Sequence, residues 1–274
     1  MTATSHILFL VACIRLSVAT VAISRFAKYI PIPKMLCADD EEKLSLQRSV
    51  AVTLLWAFLM MFFCWYFGEQ FQIDNMGYYA LNWNALTGVV YALIINTVLF
   101  NGNIVYYLFH ADDEESLARK ISQKWAVQPI STFKVYVVAP AYEEATFSVL
   151  LYAAFKNLGL ESNLYFSLIT SICFGLSHIH MKWDILKEIV KDPKTSSWVA
   201  RVRKCTAEVS GIVLITTIFC LYSKVIFLKT LSFWPCFILH AACNILGSPI
   251  TGFNNATLHH VGGSIACICL MIFF

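Results

Sequence analysis

Apolar residues gather along this chain into stretches of spanning or near-spanning length, at roughly residues 5–24, 50–68, 86–109, 133–157, 164–181, 207–228, 232–248 and 261–274. About twenty apolar residues rising 1.5 Å each cross the hydrocarbon of a bilayer, so the pattern predicts an all-α, polytopic membrane protein of about eight transmembrane helices. The sixth and seventh stretches lie so close that their boundary is the hardest to draw. The last, about fourteen residues long, is short enough to tilt little or to end in the interface. The N-terminal MTATSHILFL lacks a basic leader and Arg15 interrupts the apolar run behind it, which reads as a first membrane helix rather than a cleaved signal peptide. Neither a repeat nor a compositional break divides the chain, so a single membrane domain over residues 1–274 is expected.

Composition agrees with the pattern. The chain is 58% hydrophobic and only 14% charged, with mean hydropathy +0.66, well outside the soluble range. A net charge of +3, spread over short segments, gives no basic stripe for nucleic acid. Most of the ten cysteines fall inside apolar runs without a CxxC pair, and act as small hydrophobes rather than a disulfide or zinc framework.

Charge in the connecting segments sets an orientation. Residues 25–49 hold five Lys/Arg, 111–132 three and 182–204 seven, whereas the second and fourth connections hold none; the sixth is assigned Lys224 and Lys229. By the positive-inside rule the first, third and fifth connections face the cytosol. The stretch KWDILKEIVK sets Ile185, Leu186, Ile189 and Val190 against Lys182, Lys187 and Lys191, the pattern of an interfacial amphipathic helix, if it does not simply continue the fifth. The sequon at Asn255 falls in a connection that this topology makes cytosolic, and is expected to stay unmodified.

Against this apolar background Glu143 and Glu144 stand out, about ten residues into the fourth stretch. An ionised carboxylate there costs at least about 2.5 to 3.5 kcal/mol, so such residues face an interior or a wet cavity and need partners. Two polar pairs can supply them. Phe174 and His178 are four residues apart, as are His240 and Asn244, so each pair shares a helix face. On the charge-derived topology all of them can open to the cytosol. A carboxylate beside an imidazole in a low-dielectric pocket can make a water nucleophilic, and a second imidazole with an amide offers donors to a developing oxyanion. Together these roles amount to amide hydrolysis without a covalent intermediate. His180 closes the same segment, either bonded locally at the helix end or supporting His178.

The order AP-x-x-EE at 139–144, FG-x-x-H-x-H at 174–180 and H-x-x-CN at 240–244 resembles the type II CAAX prenyl endopeptidases, the Ras-converting group of the glutamic intramembrane proteases. The likeness covers about residues 130–250, the expected catalytic core. It implies that Glu143 and His178 activate water, that His240 and Asn244 form the oxyanion hole, and that Glu144, Phe174 and His180 support them, with no metal and no cofactor. The implied substrates are farnesylated or geranylgeranylated CAAX-tailed proteins such as small GTPases, cleaved in the lipid of the endoplasmic reticulum membrane from the cytosolic side. The chain departs from the family's EExxxR at Ser148, and a hydroxyl cannot supply the charge of a guanidinium. Either activity is weaker, or another cation takes its place, Arg15 being the other arginine within a membrane stretch, or the chain is an inactive scaffold that binds prenylated proteins. A zinc-dependent protease is the enzymatic rival, although HExxH is absent and His178 and His180, two residues apart, diverge on a helix.

Overall fold

The computed structural model describes residues 3–26, 76–100, 117–127, 129–191 and 197–246, with isolated positions at 58, 62 and 104. The apolar stretches at 50–68 and 261–274 and the sequon at Asn255 lie outside these residues, the first apart from its two isolated positions. Every described element is helical: α1 (Ala3–Phe26), α2 (Trp83–Leu99), α3 (Leu117–Val127), α4 (residues 129–157), α5 (Asn163–Ser177), α6 (Trp183–Lys191), α7 (Trp198–Thr230) and α8 (Phe233–Leu246). Two helical runs, Asn163–Lys191 and Trp198–Thr230, are long and apolar enough to cross a membrane, and α1, α2 and α8 contain shorter apolar helices.

Local sequence sets the ends. Asn82 caps α2 by accepting from the Ala85 N–H at 2.9 Å, and Ser162 caps α5 through Tyr165 at 3.2 Å. α4 and α5 are joined through Gly159, whose φ of +70° is open to a residue without Cβ. α7 and α8 are separated only by Leu231 and Ser232, with Leu231 held left-handed at φ 46° and its N–H bonded to Phe227 O at 2.6 Å.

This short turn resolves the boundary between the sixth and seventh apolar stretches and corrects their charge assignment. Lys224 is not in a connection; it lies inside α7 and is fully buried. Arg201, Arg203 and Lys204 are likewise helical, in the first turns of α7. At 1.5 Å per residue that 33-residue helix is about 50 Å long, so it outruns a 30 Å hydrocarbon layer and can carry its basic end into water. The KWDILKEIVK stretch forms a 3-10 turn, His178–Lys182, leading into α6, with Ile189 buried and Ile185 and Val190 exposed.

The bundle is apolar outside as well as inside. Leu164, Leu168, Ile172 and Leu176 make an exposed stripe at four-residue spacing along α5, and Ile7, Ile14 and Val18 another on α1. Outward stripes of this kind suit lipid rather than water. The buried centre is aromatic, with Phe9 of α1 against Phe155 of α4 at 5.2 Å, and Tyr152 of α4 against Phe166 of α5 and Phe227 of α7 at 5.1 and 5.3 Å.

α5 packs chiefly on α7, and α8 on α2. Both contacts are close. A Cβ on Gly175 would overlap Thr217 Oγ1 and stand 2.8 Å from the Val213 carbonyl oxygen. On Gly88 it would meet Pro235 Cγ at 2.5 Å. Small residues let membrane helices approach in this way.

Candidate active site

α4 carries the two carboxylates and is not a regular helix. Two π-helical stretches, Lys134–Val138 and Ala145–Leu150, bracket the α-helical turn Ala139–Glu144. Pro140 gives a reason for the first: it lacks an N–H and its ring presses on the carbonyl four residues back, and the widened ladder accommodates both. The second widens the helix where Glu144 and Ser148 face α7.

Neighbours on a helix diverge by about 100°, and the two glutamates accordingly meet different partners. Glu143, 14% exposed in its side chain, points its Oε2 at two imidazoles, His178 Nε2 at 3.9 Å and His240 Nε2 at 3.5 Å. Glu144 is 1% exposed. Its Oε1 lies 3.1 Å from His240 Nδ1, and its Oε2 accepts from Ser148 Oγ at 2.6 Å and Ser223 Oγ at 2.8 Å. Lys224 Nζ stands 3.6 Å from the same oxygen and 2.5 Å from Ser148 Oγ.

The donors order themselves. His178 Nδ1 lies 2.9 Å from Phe174 O, which can only accept, so Nδ1 carries the proton and, in the neutral ring, Nε2 presents a lone pair toward Glu143. His240 Nδ1 faces a carboxylate and donates to it. Its Nε2 faces a second carboxylate, and a proton on that edge, on either the ring or Glu143, keeps the two acceptors from opposing each other.

Phe174 is buried between the imidazoles, with ring centroids 4.5 Å from His178 and 6.0 Å from His240, and it packs edge-on against Phe147 at 5.2 Å. His180 sits in the 3-10 turn with Nδ1 2.5 Å from Ser177 O, its ring 6.2 Å from that of His178. Glu143, Glu144, His178, His240 and Phe174 thus lie together. Asn244 takes another direction: its Nδ2 donates to Val135 O in the first π stretch at 2.8 Å, which leaves a second N–H of the same amide.

Lys224 and Ser223 are polar groups at the site that motif reading passes over, and they meet Glu144 beside Ser148, the position that departs from EExxxR. Arg15 is exposed on α1 and does not supply the buried cation. Lys156 lies over the Tyr152 ring at 5.5 Å. Among the described residues no group of three or more His, Cys, Asp or Glu side chains is placed to hold a metal ion. A cleft between α2 and α7, of about 200 Å³ and lined by Gly88, Tyr91, Ile95 and Ile226 among others, includes none of the polar residues around Glu143 and Glu144.

Two curated proteins are similar to this chain: CAAX prenyl protease 2 of Saccharomyces cerevisiae, 31% identical over 134 residues, and probable CAAX prenyl protease 2 of Schizosaccharomyces pombe, 28% identical over 113. The matches cover 47% and 41% of this chain and 39% and 38% of those proteins, so the chain spans about two fifths of the length of the relatives it matches. No solved structure matches it. The family model described as type II CAAX prenyl endopeptidase Rce1-like matches residues 125–246, a segment that contains both glutamates, both imidazole partners, Lys224 and Asn244. Residues 125–246 are therefore similar to the type II CAAX prenyl endopeptidases, and the likeness coincides with the segment that builds the site.

Proposed function

We propose that this chain is a metal-free, glutamate-dependent endopeptidase that removes the last three residues from prenylated CAAX tails. The observation that carries the reading is Glu143 Oε2 placed between His178 Nε2 and His240 Nε2, at 3.9 and 3.5 Å, beside a fully compensated Glu144. The family match and the names of the two relatives agree with it.

The 3.9 Å between Glu143 and His178 is too long for a direct hydrogen bond and suits a substrate water held by both at about 2.8 Å. Glu143 takes one proton of that water while the His178 lone pair accepts from the other, fixing the oxygen's aim at the scissile carbonyl. As the carbonyl oxygen gains charge, a His240 Nε2–H and the free N–H of Asn244 are the donors for it. Glu143 then returns its proton to the leaving amine, giving a protein that ends at its prenylcysteine and a free tripeptide.

The substrates are farnesylated or geranylgeranylated proteins of the small-GTPase kind. The chain acts as a single domain of about eight spans in the endoplasmic reticulum membrane, with its site open to the cytosol, as the basic connections and the basic first turns of α7 favour. Lys224, 3.6 Å from Glu144, supports the active reading over an inactive prenyl binder by supplying a cation where Ser148 lacks one.

The test is cleavage of a farnesylated CAAX peptide by the purified protein in lipid, followed by release of the tripeptide. Glu143→Gln keeps the shape and is expected to lower kcat about 10²- to 10⁴-fold, the range of general-base catalysis. Activity that persists in Glu143→Gln refutes the mechanism, an inactive wild type refutes the assignment, and activity lost to a chelator and restored by zinc transfers the chemistry to a metal.

A further inference from the structure

A lysine with no exposed surface, inside an apolar helix, requires a reason. Lys224 is 0% exposed, and its ammonium is directed at Ser148 Oγ, 2.5 Å away, with Glu144 Oε2 at 3.6 Å. An ammonium only donates. The bonds therefore run one way, Lys224 N–H to Ser148 Oγ and Ser148 O–H to Glu144 Oε2, while the other oxygen of Glu144 accepts from His240 Nδ1. The far edge of His240 meets Glu143. A continuous polar chain thus connects the buried cation to the carboxylate that faces the substrate.

We propose that Lys224 is a positioning residue for this reaction: through Ser148 it balances the charge of Glu144, and Glu144 in turn fixes the tautomer and aim of His240 toward Glu143. The inference rests on the endopeptidase reading above. Lys224 and Ser148 work as a unit. The lysine brings the charge from α7, and the small side chain on α4 leaves room for the ammonium and passes a hydrogen bond on. The groups facing Glu144 are Ser148 from its own helix, Cys220, Ser223 and Lys224 from α7, and Cys236, His240 and Cys243 from α8. Lys224 is the fixed cation among them, so without it the carboxylate of Glu144 is balanced by taking up a proton.

The arrangement predicts that the charge can be moved across the helix interface. Position 148 is one turn beyond Glu144, so an arginine there reaches the same carboxylate once the lysine head is gone. Lys224→Met is expected to lower kcat on the prenylated peptide by about 100-fold with KM changed less than about threefold, since the residue does not touch substrate. The double variant Lys224→Met/Ser148→Arg is expected to recover at least about tenfold of that loss. A wild-type kcat in Lys224→Met overturns the proposal, as does a double variant that folds, judged by its thermal melt, and recovers nothing. Should Lys224→Met fail to fold, the double variant decides alone, and an inactive or unfolded double variant overturns the proposal. A spectroscopic arm separates this proposal from the endopeptidase reading. Infrared spectra are expected to show a protonated-carboxyl band in Lys224→Met that is removed by adding Glu144→Gln and is absent from wild type and from the arginine double variant. With an inactive wild type the endopeptidase reading falls, and this band alone judges the charge balance; its absence from Lys224→Met overturns it.

Discussion

Gly175 offers the sharpest test of how the bundle holds its imidazoles. It lies next to Phe174, three residues before His178, where α5 packs tightly on α7. Gly175→Ala adds one methyl group, which would overlap Thr217 Oγ1 and lie 2.8 Å from Val213 O. The threonine can rotate away. The backbone carbonyl cannot, so α5 and α7 must separate by about 0.6 Å to restore an ordinary contact near 3.4 Å. Overpacking of this kind costs about 1 to 3 kcal/mol. The same displacement carries His178 relative to Glu143, from which it is already 3.9 Å distant, and a misplacement of about 1 Å can cost 10²-fold in rate. The variant is therefore expected to lose about 1 to 3 kcal/mol of stability in a denaturant titration in mixed micelles, with kcat about 10-fold lower. Adding Thr217→Ala should return part of the stability but not all of it, because the carbonyl remains. A Gly175→Ala protein as stable and as active as wild type refutes the close approach, and full recovery by Thr217→Ala refutes the role given to the carbonyl.

Two further predictions follow from the polar contacts. Asn244→Ala is expected to lower kcat about 10²- to 10³-fold, the loss typical of one oxyanion donor; a wild-type kcat on the prenylated peptide would leave the residue only its bond to Val135. The Lys182–Glu208 pair, 2.9 Å apart with side chains 29% and 38% exposed, is open to screening, so Lys182→Ala should change stability by less than about 1 kcal/mol and activity by less than twofold. A larger loss in either assay would show that this pair holds the turn through His178 and His180.

The core of the site was legible because its residue types are costly where they stand. Two carboxylates in an apolar run demand partners, and the four-residue spacings of Phe174 with His178 and His240 with Asn244 put candidates on shared faces. Lys224 misleads for a local reason. With Lys229 five residues on and the apolar FWPCF run close behind, it resembles the charged end of a helix, whereas α7 runs on to Thr230. The flanking CLYS and VIFL held the better signal, a single lysine inside an apolar segment that needs a named counter-charge. The two π stretches left no comparable trace, because hydrogen-bond register within a helix depends on what the helix packs against. They also limit face arguments across α4: Asn244 bonds to Val135 in the widened ladder, a pairing that spacing within α8 alone could not supply.

Glu144 lies 79, 80 and 96 residues, respectively, before Ser223, Lys224 and His240, whose side chains complete its polar network. At about 5 to 20 residues per second, a ribosome finishes α4 roughly 4 to 18 seconds before the last of the α7–α8 hairpin that compensates it has been made. Until the hairpin is complete, Glu144 lacks its full set of partners, Lys224 and His240. Biogenesis therefore has an order built into it: α4 must wait at the insertion machinery, or cross with its acids uncompensated, until the hairpin arrives with both groups together.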